Sequence, residues 1–381
     1  CFEIEERLKK ELDIPVMHDD QHGTAIIAAS ALLNALEIAG KKIEQVKVVI
    51  NGAGAAAISC ATLFAGLGMK VENLLMFDSK GIVNKERKNL DSHKTLFASD
   101  HKNCTLDEAF KGADVFAGLS VGNVVTQEMV RSMAKNPIVF ALANPVPEIA
   151  YEEARSARPD AIIATGRSDT PNQVNNVLGF PYIFRGALDV RATQINEPMK
   201  LAAVRALAQL AREPVPEIVN LAYNSTNLIF GREMIIPKPL DPRLITWVTP
   251  AVAKAAIESG VARLTSTDWE EYKLSLEKRL GLGNSLIRHV TNKAKQNPKR
   301  VVFAEADHYK ILKAAQIVTE EGIAKPILLG NRDTIQKMIE QYHLDLKDVP
   351  IIDPRTEEKE RRNSFADLFF KKKTAEGNYS L

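Results

Sequence analysis

The first two thirds of the chain alternate short apolar runs with segments whose apolar residues recur at helical spacing. The runs are five or six residues long and mostly lack inside–outside alternation, which is typical of parallel strands covered on both faces. We predict strands over residues 47–51, 73–78, 114–119, 138–143 and 161–165. We predict helices over residues 3–12, 24–39, 55–67, 105–111, 127–134, 200–212 and 250–259. This alternation predicts an α/β fold with a doubly wound, Rossmann-like parallel sheet.

The pattern changes near residue 260. Charged residues crowd into 268–279 and Gly281-Leu282-Gly283 follows, so we interpret residues 261–284 as a linker helix and a hinge. Beyond them the pattern predicts a strand, a helix and a strand in turn, over residues 300–304, 310–321 and 326–330. We therefore expect the start of a second α/β domain at residues 285–381.

Composition narrows the class of protein. A chain of 381 residues predicts two or three domains, and its net charge of +2 gives no argument for nucleic acid or a membrane as partner. Three widely spaced cysteines favour a reduced, cytoplasmic compartment. No apolar run approaches the roughly 20 residues that span a bilayer, and the first residues do not resemble a signal peptide. Because the chain lacks an initiator methionine, we expect it to begin inside a longer protein.

A glycine-rich turn follows the first predicted strand. Residues 52–57 read Gly-Ala-Gly-Ala-Ala-Ala, with a predicted helix directly after them. In such a turn the first glycine allows the tight bend, and the second lets the backbone approach a dinucleotide pyrophosphate at the helix N-terminus. We therefore expect the cofactor phosphates to be bound by Gly52, Ala53, Gly54, Ala55 and Ala56. A tight strand–helix turn without a ligand is the alternative.

Asp78 closes the next predicted strand, 26 residues after Gly52, near the usual distance for an acidic residue that binds the ribose. Its carboxylate favours NAD, since a 2′-phosphate about 4 Å away is repelled by roughly 4 kcal/mol per charge at an effective dielectric constant near 20. Lys80 is the best candidate to hold a 2′-phosphate, with a plain surface charge as the alternative. Further cations that can offset the repulsion are Lys85, Arg87 and Lys88. The choice between NAD and NADP therefore stays open.

Two more polar groups are candidates for chemistry. Asp19 and Asp20 precede the helix predicted from residue 24, so helix capping is the simpler interpretation and a divalent metal site is the alternative. Asn144 and Asn176 follow predicted strands, where open α/β sheets bind ligands, although Asn144 also suits a turn before proline. We expect the turn around Gly54 and the carboxyl group of Asp20 to border one crevice.

Together these segments resemble the malic enzyme family. The likeness covers roughly residues 1–260 and rests on residues 18–25, 51–57, 77–81, 143–145, 166–176 and 180–189, the last reading Phe-Pro-Tyr-Ile-Phe-Arg-Gly-Ala-Leu-Asp. Residues from about 285 onward, above all 301–306 and 310–315, resemble the start of a phosphotransacetylase domain. This combination is similar to the bacterial fused malic enzymes.

The resemblance implies oxidative decarboxylation of malate to pyruvate and CO₂, with reduction of NADP or NAD and a requirement for Mg²⁺ or Mn²⁺. The fused bacterial relatives favour NADP. On this basis Asp20 is a metal ligand, Asp19 positions a catalytic lysine, and Asn144 and Asn176 contact substrate and nicotinamide. The second domain implies a homo-oligomer that responds to acetyl-CoA, or else phosphate acetyltransferase activity.

The resemblance also divides the chain. It assigns residues 1–22 to the end of an amino-terminal domain, 23–260 to an NAD(P)-binding domain and 285–381 to a partial phosphotransacetylase-like domain. The family's catalytic tyrosine and lysine, and two further metal ligands, lie in the amino-terminal domain. We therefore expect the 381-residue chain to bind nucleotide without turning over malate. A non-catalytic ligand sensor is the remaining alternative.

Overall fold

A six-stranded sheet organises the first part of the chain. Its strands are β1 (Val48–Asn51), β2 (Leu74–Asp78), β3 (Gly81–Ile82), β4 (Val115–Gly118), β5 (Ile138–Ala141) and β6 (Ile162–Thr165). Their order is β3-β2-β1-β4-β5-β6, and all neighbours are parallel except β2 and β3. Winding reverses between β1 and β4, which confirms the predicted doubly wound sheet. The short edge strand β3 is an addition to the predicted strands.

This computed structural model describes residues 2–88, 90–225, 227–280, 285–356 and 359–375. It divides into two compact units, residues 1–280 and 281–381. The helices of the first unit are α1 (Phe2–Glu11), α2 (Asp19–Ala39), α3 (Ala55–Gly66), α4 (Ser92–Thr95), α5 (Leu106–Phe110), α6 (Gln127–Arg131), α7 (Tyr151–Ala157), α8 (Phe180–Asp189), α9 (Glu197–Arg212), α10 (Glu217–Ala222), α11 (Leu244–Glu258) and α12 (Trp269–Arg279). Short 3₁₀ turns span Val71–Asn73 and Asn176–Leu178.

Both faces of the sheet are buried, as the apolar runs predict. Val48 and Ile50 of β1 join one apolar core, whereas Val49, between them, joins the other. Phe140 and Phe116 lie in opposite cores in the same way. Successive side chains of a strand point to opposite faces, so a strand covered on both sides needs apolar residues at every position.

Helix α2 is the central helix of the first core. It starts at Asp19, five residues before the predicted start at Thr24. Among the described helices it is the one that length and composition would allow to cross a membrane, a test that core helices also pass. Since 78% of its apolar window is buried inside the protein, its hydrophobicity is explained by packing.

Helix α11 also starts before its predicted position. The sequence predicts a helix from Pro250, but the helix begins at Leu244 and carries Pro250 inside it. An interior proline disfavours a helix by about 3 kcal/mol. Packing against α8 and α9, with Val248 and Val252 fully buried, outweighs that preference here.

The helix predicted as part of a linker belongs to the first unit. In α12, Leu276 is fully buried and Tyr272 Oη donates to Asp189 Oδ2 at 2.7 Å, so this helix is anchored on the preceding fold. The predicted hinge, Gly281-Leu282-Gly283, lies outside the described residues.

The second unit has its own parallel sheet and core. Its strands, in the order β7-β8-β9, are β7 (Lys299–Phe303), β8 (Ala324–Leu329) and β9 (Ile351–Ile352). Its helices are α13 (Ser285–Gln296), α14 (Tyr309–Glu320), α15 (Arg332–Gln341) and α16 (Lys359–Ala375). Leu312, Leu328 and Ile335 are fully buried at its centre. The predicted strand–helix–strand order is confirmed, with ends that differ by one or two residues.

Candidate functional site

The turn after β1 requires glycine at position 52. Gly52 has φ +131°, a backbone conformation that other residues rarely adopt, and its N–H donates to Phe77 O at 2.8 Å. A β-carbon at this position would lie 2.6 Å from Leu119 O. Gly52 therefore holds the ends of β1, β2 and β4 close together.

Gly54 differs from Gly52 because its surroundings are open. It precedes α3 in an extended conformation, is exposed, and a β-carbon there would meet nothing within 4 Å. No side chain of the described residues caps α3, so the N–H groups of its first turn are free to bind an anion. This arrangement suits the pyrophosphate of a dinucleotide.

Helices α2 and α3 run side by side in the same direction. They border one cavity of about 200 Å³, to which the first turn of α2 contributes Gln21 and His22 and the middle of α3 contributes Ile58, Ser59, Thr62 and Leu63. Beyond their C-terminal ends, a β-carbon at Gly68 would lie 3.4 Å from Cγ2 of Ile43. The helix start with Asp19 and Asp20 therefore lies at the same side of the fold as the turn around Gly54.

Asp19 and Asn176 meet at this side. Asn176 Nδ2 donates to Asp19 O and Asp19 Oδ2, both at 3.2 Å, and Thr24 Oγ1 donates to Asn176 Oδ1 at 3.1 Å. The carboxylate folds over Gly23, where a β-carbon would lie 2.1 Å from Asp19 Oδ1. That oxygen is buried and has no hydrogen-bond partner among the described residues. Burial raises the pKa of Asp19, as expected for a carboxyl group with too few hydrogen-bond donors around it. Its unpaired oxygen can therefore accept a hydrogen bond from a further donor.

Asp20 is exposed beside this contact. Because α2 begins at Asp19, after His18, both aspartates lie inside the first turn of the helix instead of capping it. The described residues contain no group of three or more His, Cys, Asp or Glu side chains placed to hold a metal ion. Within them, Asp20 is thus a single candidate ligand and not a complete metal site.

Asp78, at the end of β2, is paired with two cations. Arg87 Nη1 lies 2.8 Å from Asp78 Oδ1, and Lys94 Nζ lies 3.5 Å from Asp78 Oδ2. Partial burial raises the pKa of Asp78, but the hydrogen bonds from Arg87 and the Lys80 N–H, together with the charges of Arg87 and Lys94, leave the pKa below its ordinary value. Lys80 is exposed and contacts Asp78 through its backbone N–H at 2.9 Å. The cations nearest the Asp78 carboxylate are therefore Arg87 and Lys94.

Lys94 was absent from the residues that the sequence singled out. It lies 16 residues after Asp78, beyond β3, on the short helix α4, which Asp91 caps by accepting the N–H of Lys94 at 2.9 Å. The capping aspartate marks the short helix in the sequence, but no local signal indicates that Lys94 reaches Asp78.

A buried asparagine arranges the loop that carries Asn176. Asn172 Nδ2 donates to Ile163 O at 2.9 Å and to Arg232 O at 2.7 Å, and Asn172 Oδ1 accepts the N–H of Ile235 at 3.0 Å. Sequence reasoning assigned no role to Asn172, because the spacing of these partners along the chain gives no local signal. The loop brings Asn176 from the end of β6 to the start of α2.

The candidate residues share one edge of the sheet. Parallel strands place their carboxyl ends together, so Gly54 after β1, Asp78 on β2, Asn144 after β5 and Asn176 after β6 lie along the same edge. Asp78 belongs to the half of the sheet on one side of the β1–β4 switch, and Asn144 and Asn176 belong to the other. Such an edge is where doubly wound sheets bind dinucleotides.

Comparison with known proteins agrees with this geometry. Residues 21–222 match the family model of the malic enzyme NAD-binding domain, and residues 285–380 match that of phosphate acetyl/butaryl transferase. The chain is 50% identical to an NADP-dependent malic enzyme of Salmonella typhimurium, over 91% of this chain and 46% of the relative. It is 48% identical to an NAD-dependent malic enzyme of Rhizobium meliloti, over 97% of this chain and 48% of the relative.

A solved structure gives the same result. The crystal structure of malic enzyme from Pyrococcus horikoshii superposes with a TM-score of 0.64 at 39% identity, covering 75% of this chain and 66% of that one. The chain spans about half the length of the curated relatives it matches, 46% and 49% for two of them. With a family model that covers residues 21–222, the chain belongs to the malic enzyme family.

Proposed function

We propose that the protein oxidises malate with NADP or NAD and releases pyruvate and CO₂. The observation that carries the proposal is the contact between Asp19 and Asn176, at the sheet edge that also carries the turn around Gly54. In this contact the Asp19 carboxylate keeps one unpaired oxygen. The carboxylate lies at the same edge of the sheet as the open turn around Gly54, where we propose that the phosphates bind. The relatives named malic enzymes, with either cofactor, support this reaction.

Each half of the edge has its own task in this proposal. The free N–H groups at the start of α3 bind the pyrophosphate, and the space above Gly54 admits it. Asn144 and Asn176 contact malate and the nicotinamide from the ends of β5 and β6. Asp19 holds the catalytic lysine of the amino-terminal domain through its unpaired oxygen, which orients that amine for proton transfer.

A divalent cation, Mg²⁺ or Mn²⁺, supplies Lewis-acid stabilisation of the developing enolate when bound. The described residues alone do not complete its site, so we assign Asp20 as one ligand only. In the full-length protein Asp20→Asn should weaken Mn²⁺ binding far more than Asp78→Asn, measured by electron paramagnetic resonance of free Mn²⁺. Equal effects of the two substitutions would exclude the assignment.

We favour NADP over NAD because Arg87 and Lys94 surround Asp78. Arg87 and Lys94 offset the charge of Asp78, and Lys94 also lies 3.9 Å from Asp91, so the repulsion of a 2′-phosphate expected from Asp78 alone is reduced. Lys94→Gln should therefore raise the Kd for NADP⁺ by about tenfold and leave that for NAD⁺ nearly unchanged. Lys85→Gln, which removes a cation paired with Asp100 instead, is the matched control. Equal weakening of both cofactors by Lys94→Gln would contradict the NADP assignment.

The chain of 381 residues should bind nucleotide without turning over malate. A direct test compares this chain with the full-length protein, using malate, Mn²⁺ and either NADP⁺ or NAD⁺, and following absorbance of the reduced nicotinamide. We expect reduction only by the full-length protein, with NADP⁺ preferred. Malate turnover by the 381-residue chain would contradict this part of the proposal.

The match to the phosphate acetyl/butaryl transferase model supports a second role for residues 285–381. We propose that this part assembles homo-oligomers and binds acetyl-CoA, which alters malate oxidation; acetyl transfer to phosphate is the alternative. Titration calorimetry of acetyl-CoA with the full-length protein should show binding. Formation of acetyl phosphate in an enzymatic assay would support acetyl transfer. A folded protein that gives no heat of binding with acetyl-CoA would contradict both acetyl-CoA regulation and acetyl transfer.

A further inference from the structure

A fully buried carboxylate connects the loops that leave β4 and β5. Glu148 Oε1 accepts the N–H of Ser120, and Glu148 Oε2 accepts the N–H of Ala143, each at 3.1 Å. The whole residue has 0% exposure. Ser120 lies just after β4, and Ala143 directly precedes Asn144. One side chain therefore fixes two backbone segments at the carboxyl edge of the sheet.

The fold makes room for this carboxylate with a glycine. A β-carbon at Gly118, the last residue of β4, would lie 2.2 Å from Glu148 Cδ. The carboxylate thus lies directly against the end of the strand.

A buried carboxylate at position 148 is unfavourable for the stability of the fold. The described residues form no salt bridge with it, and burial raises its pKa. A buried carboxylate without a cation costs stability, and an apolar side chain of similar size would avoid that cost. What the carboxylate provides and an apolar residue cannot is a pair of acceptors for two loop N–H groups. Its role is therefore to hold geometry.

The loops that it holds belong to one half of the candidate nucleotide site. Asn51 Nδ2 at the end of β1 donates to Ser120 Oγ at 2.8 Å, so the network reaches the switch between β1 and β4. From there it extends to Asn144, away from Asp78 and its cations on β2. In a doubly wound sheet the two halves bind the two mononucleotides of the cofactor.

We propose that Glu148 is a positioning residue that sets the nicotinamide half of the cofactor site by holding the loops of Ser120 and Ala143. This inference rests on the proposed nucleotide binding. It predicts that loss of the Glu148 contacts weakens the nicotinamide half selectively and leaves the adenosine half intact.

Two ligands separate the halves in the 381-residue chain: NADP⁺, which spans the edge, and adenosine 2′,5′-bisphosphate, which lacks the nicotinamide half. Glu148→Gln keeps the shape of the side chain but turns an NH₂ group towards one backbone N–H. We expect the Kd for NADP⁺ to rise about tenfold and that for the bisphosphate to change less than about twofold. Gly118→Ala, whose β-carbon displaces the carboxylate, should reproduce this pattern and serves as a second variant if Glu148→Gln does not fold.

Asp114→Asn is the control for a carboxylate away from the site, and it also removes the ion pair of Asp114 with Lys41. Asp114 Oδ2 also accepts a backbone N–H, that of Lys47 at 2.9 Å, but at the opposite edge of the sheet, so neither affinity should change. Equal weakening of both ligands by Glu148→Gln and Gly118→Ala would show a general structural defect and overturn the inference, as would unchanged NADP⁺ binding. If the unmodified chain binds neither ligand, the proposed nucleotide site itself fails.

Discussion

Two glycines of one turn have different tasks, and substitutions can separate them. Gly52→Ala forces a side chain into a positive φ and against Leu119 O, so it should lower the thermal stability of the first unit. Gly54→Ala meets open space and should leave stability unchanged while the Kd for NADP⁺ rises about tenfold, because the methyl group occupies the phosphate position. Thermal melting and calorimetric titration of both variants check this contrast. Unchanged nucleotide affinity in a folded Gly54→Ala variant would contradict it.

Glu5 couples the stability of the first unit to pH. Burial raises the pKa of its carboxyl group, but hydrogen bonds from His22, Lys9 and the His18 N–H, together with the charge of His22, outweigh that effect and bring it from 4.5 to about 2. Ionised Glu5 therefore stabilises the fold above its unfolded pKa, and this contribution, about 3 kcal/mol at most, disappears as the pH falls towards 2.

The test compares Glu5→Gln with the unmodified chain. Urea unfolding followed by the fluorescence of Trp247 and Trp269, both in the first unit, should show a clearly less stable variant at pH 7. The difference should shrink at pH 3. Glu11→Gln, which affects an exposed pair with Arg7, should change little at either pH. A difference that grows on acidification would refute the assignment.

Single residues also show where sequence reasoning ends. Gly52 and Gly54 were predictable because their task depends on local backbone geometry and adjacent elements. The contact of Asp19 with Asn176 joins residues 157 positions apart, and that of Asp78 with Lys94 joins residues 16 apart, so neither leaves a local pattern.

At the scale of elements, Asn34 ties α2 to its surroundings. It is fully buried, its Nδ2 donates to Ala208 O at 2.9 Å and Ile235 O at 2.8 Å, and its Oδ1 accepts Arg212 Nε at 2.8 Å. Asn34→Leu leaves these partners unsatisfied and should destabilise the first unit by about 3 kcal/mol. Ser30→Ala, on the same helix with one short-range bond to Ile27 O, should cost much less. Similar losses from both substitutions in urea unfolding would contradict this role of Asn34.

The start of α2 illustrates how far elements were predictable. Strand positions followed from apolar runs within one or two residues, since burial on both faces demands apolar side chains. The polar run Asp19-Asp20-Gln21-His22 lacks such a pattern, so the sequence predicts the helix only from Thr24, whereas it begins at Asp19. It is helical because tertiary partners satisfy it: Glu5 binds His22 at 2.9 Å and Asn176 binds Asp19 at 3.2 Å. Contacts of this kind outweigh local preference.

At the scale of the whole molecule, the proposed nucleotide-binding residues all lie in the first compact unit. The described candidate residues all lie within residues 1–280, and each unit has its own apolar core. A chain that ends at Leu280 should therefore fold and bind NADP⁺ with a Kd within about twofold of the 381-residue chain. Circular dichroism and calorimetric titration check this. A folded truncated chain without nucleotide affinity would show that the site needs the second unit.

The central claim is that the carboxyl edge around Gly54 binds a dinucleotide beside Asp20. A crystal structure of the chain with NADP⁺ tests it most directly. We expect the pyrophosphate at the N-terminus of α3, the 2′-phosphate beside Lys94, and the nicotinamide near Asn144 and Asn176. Phosphates bound away from α3, or a nicotinamide on the opposite edge of the sheet, would contradict the account.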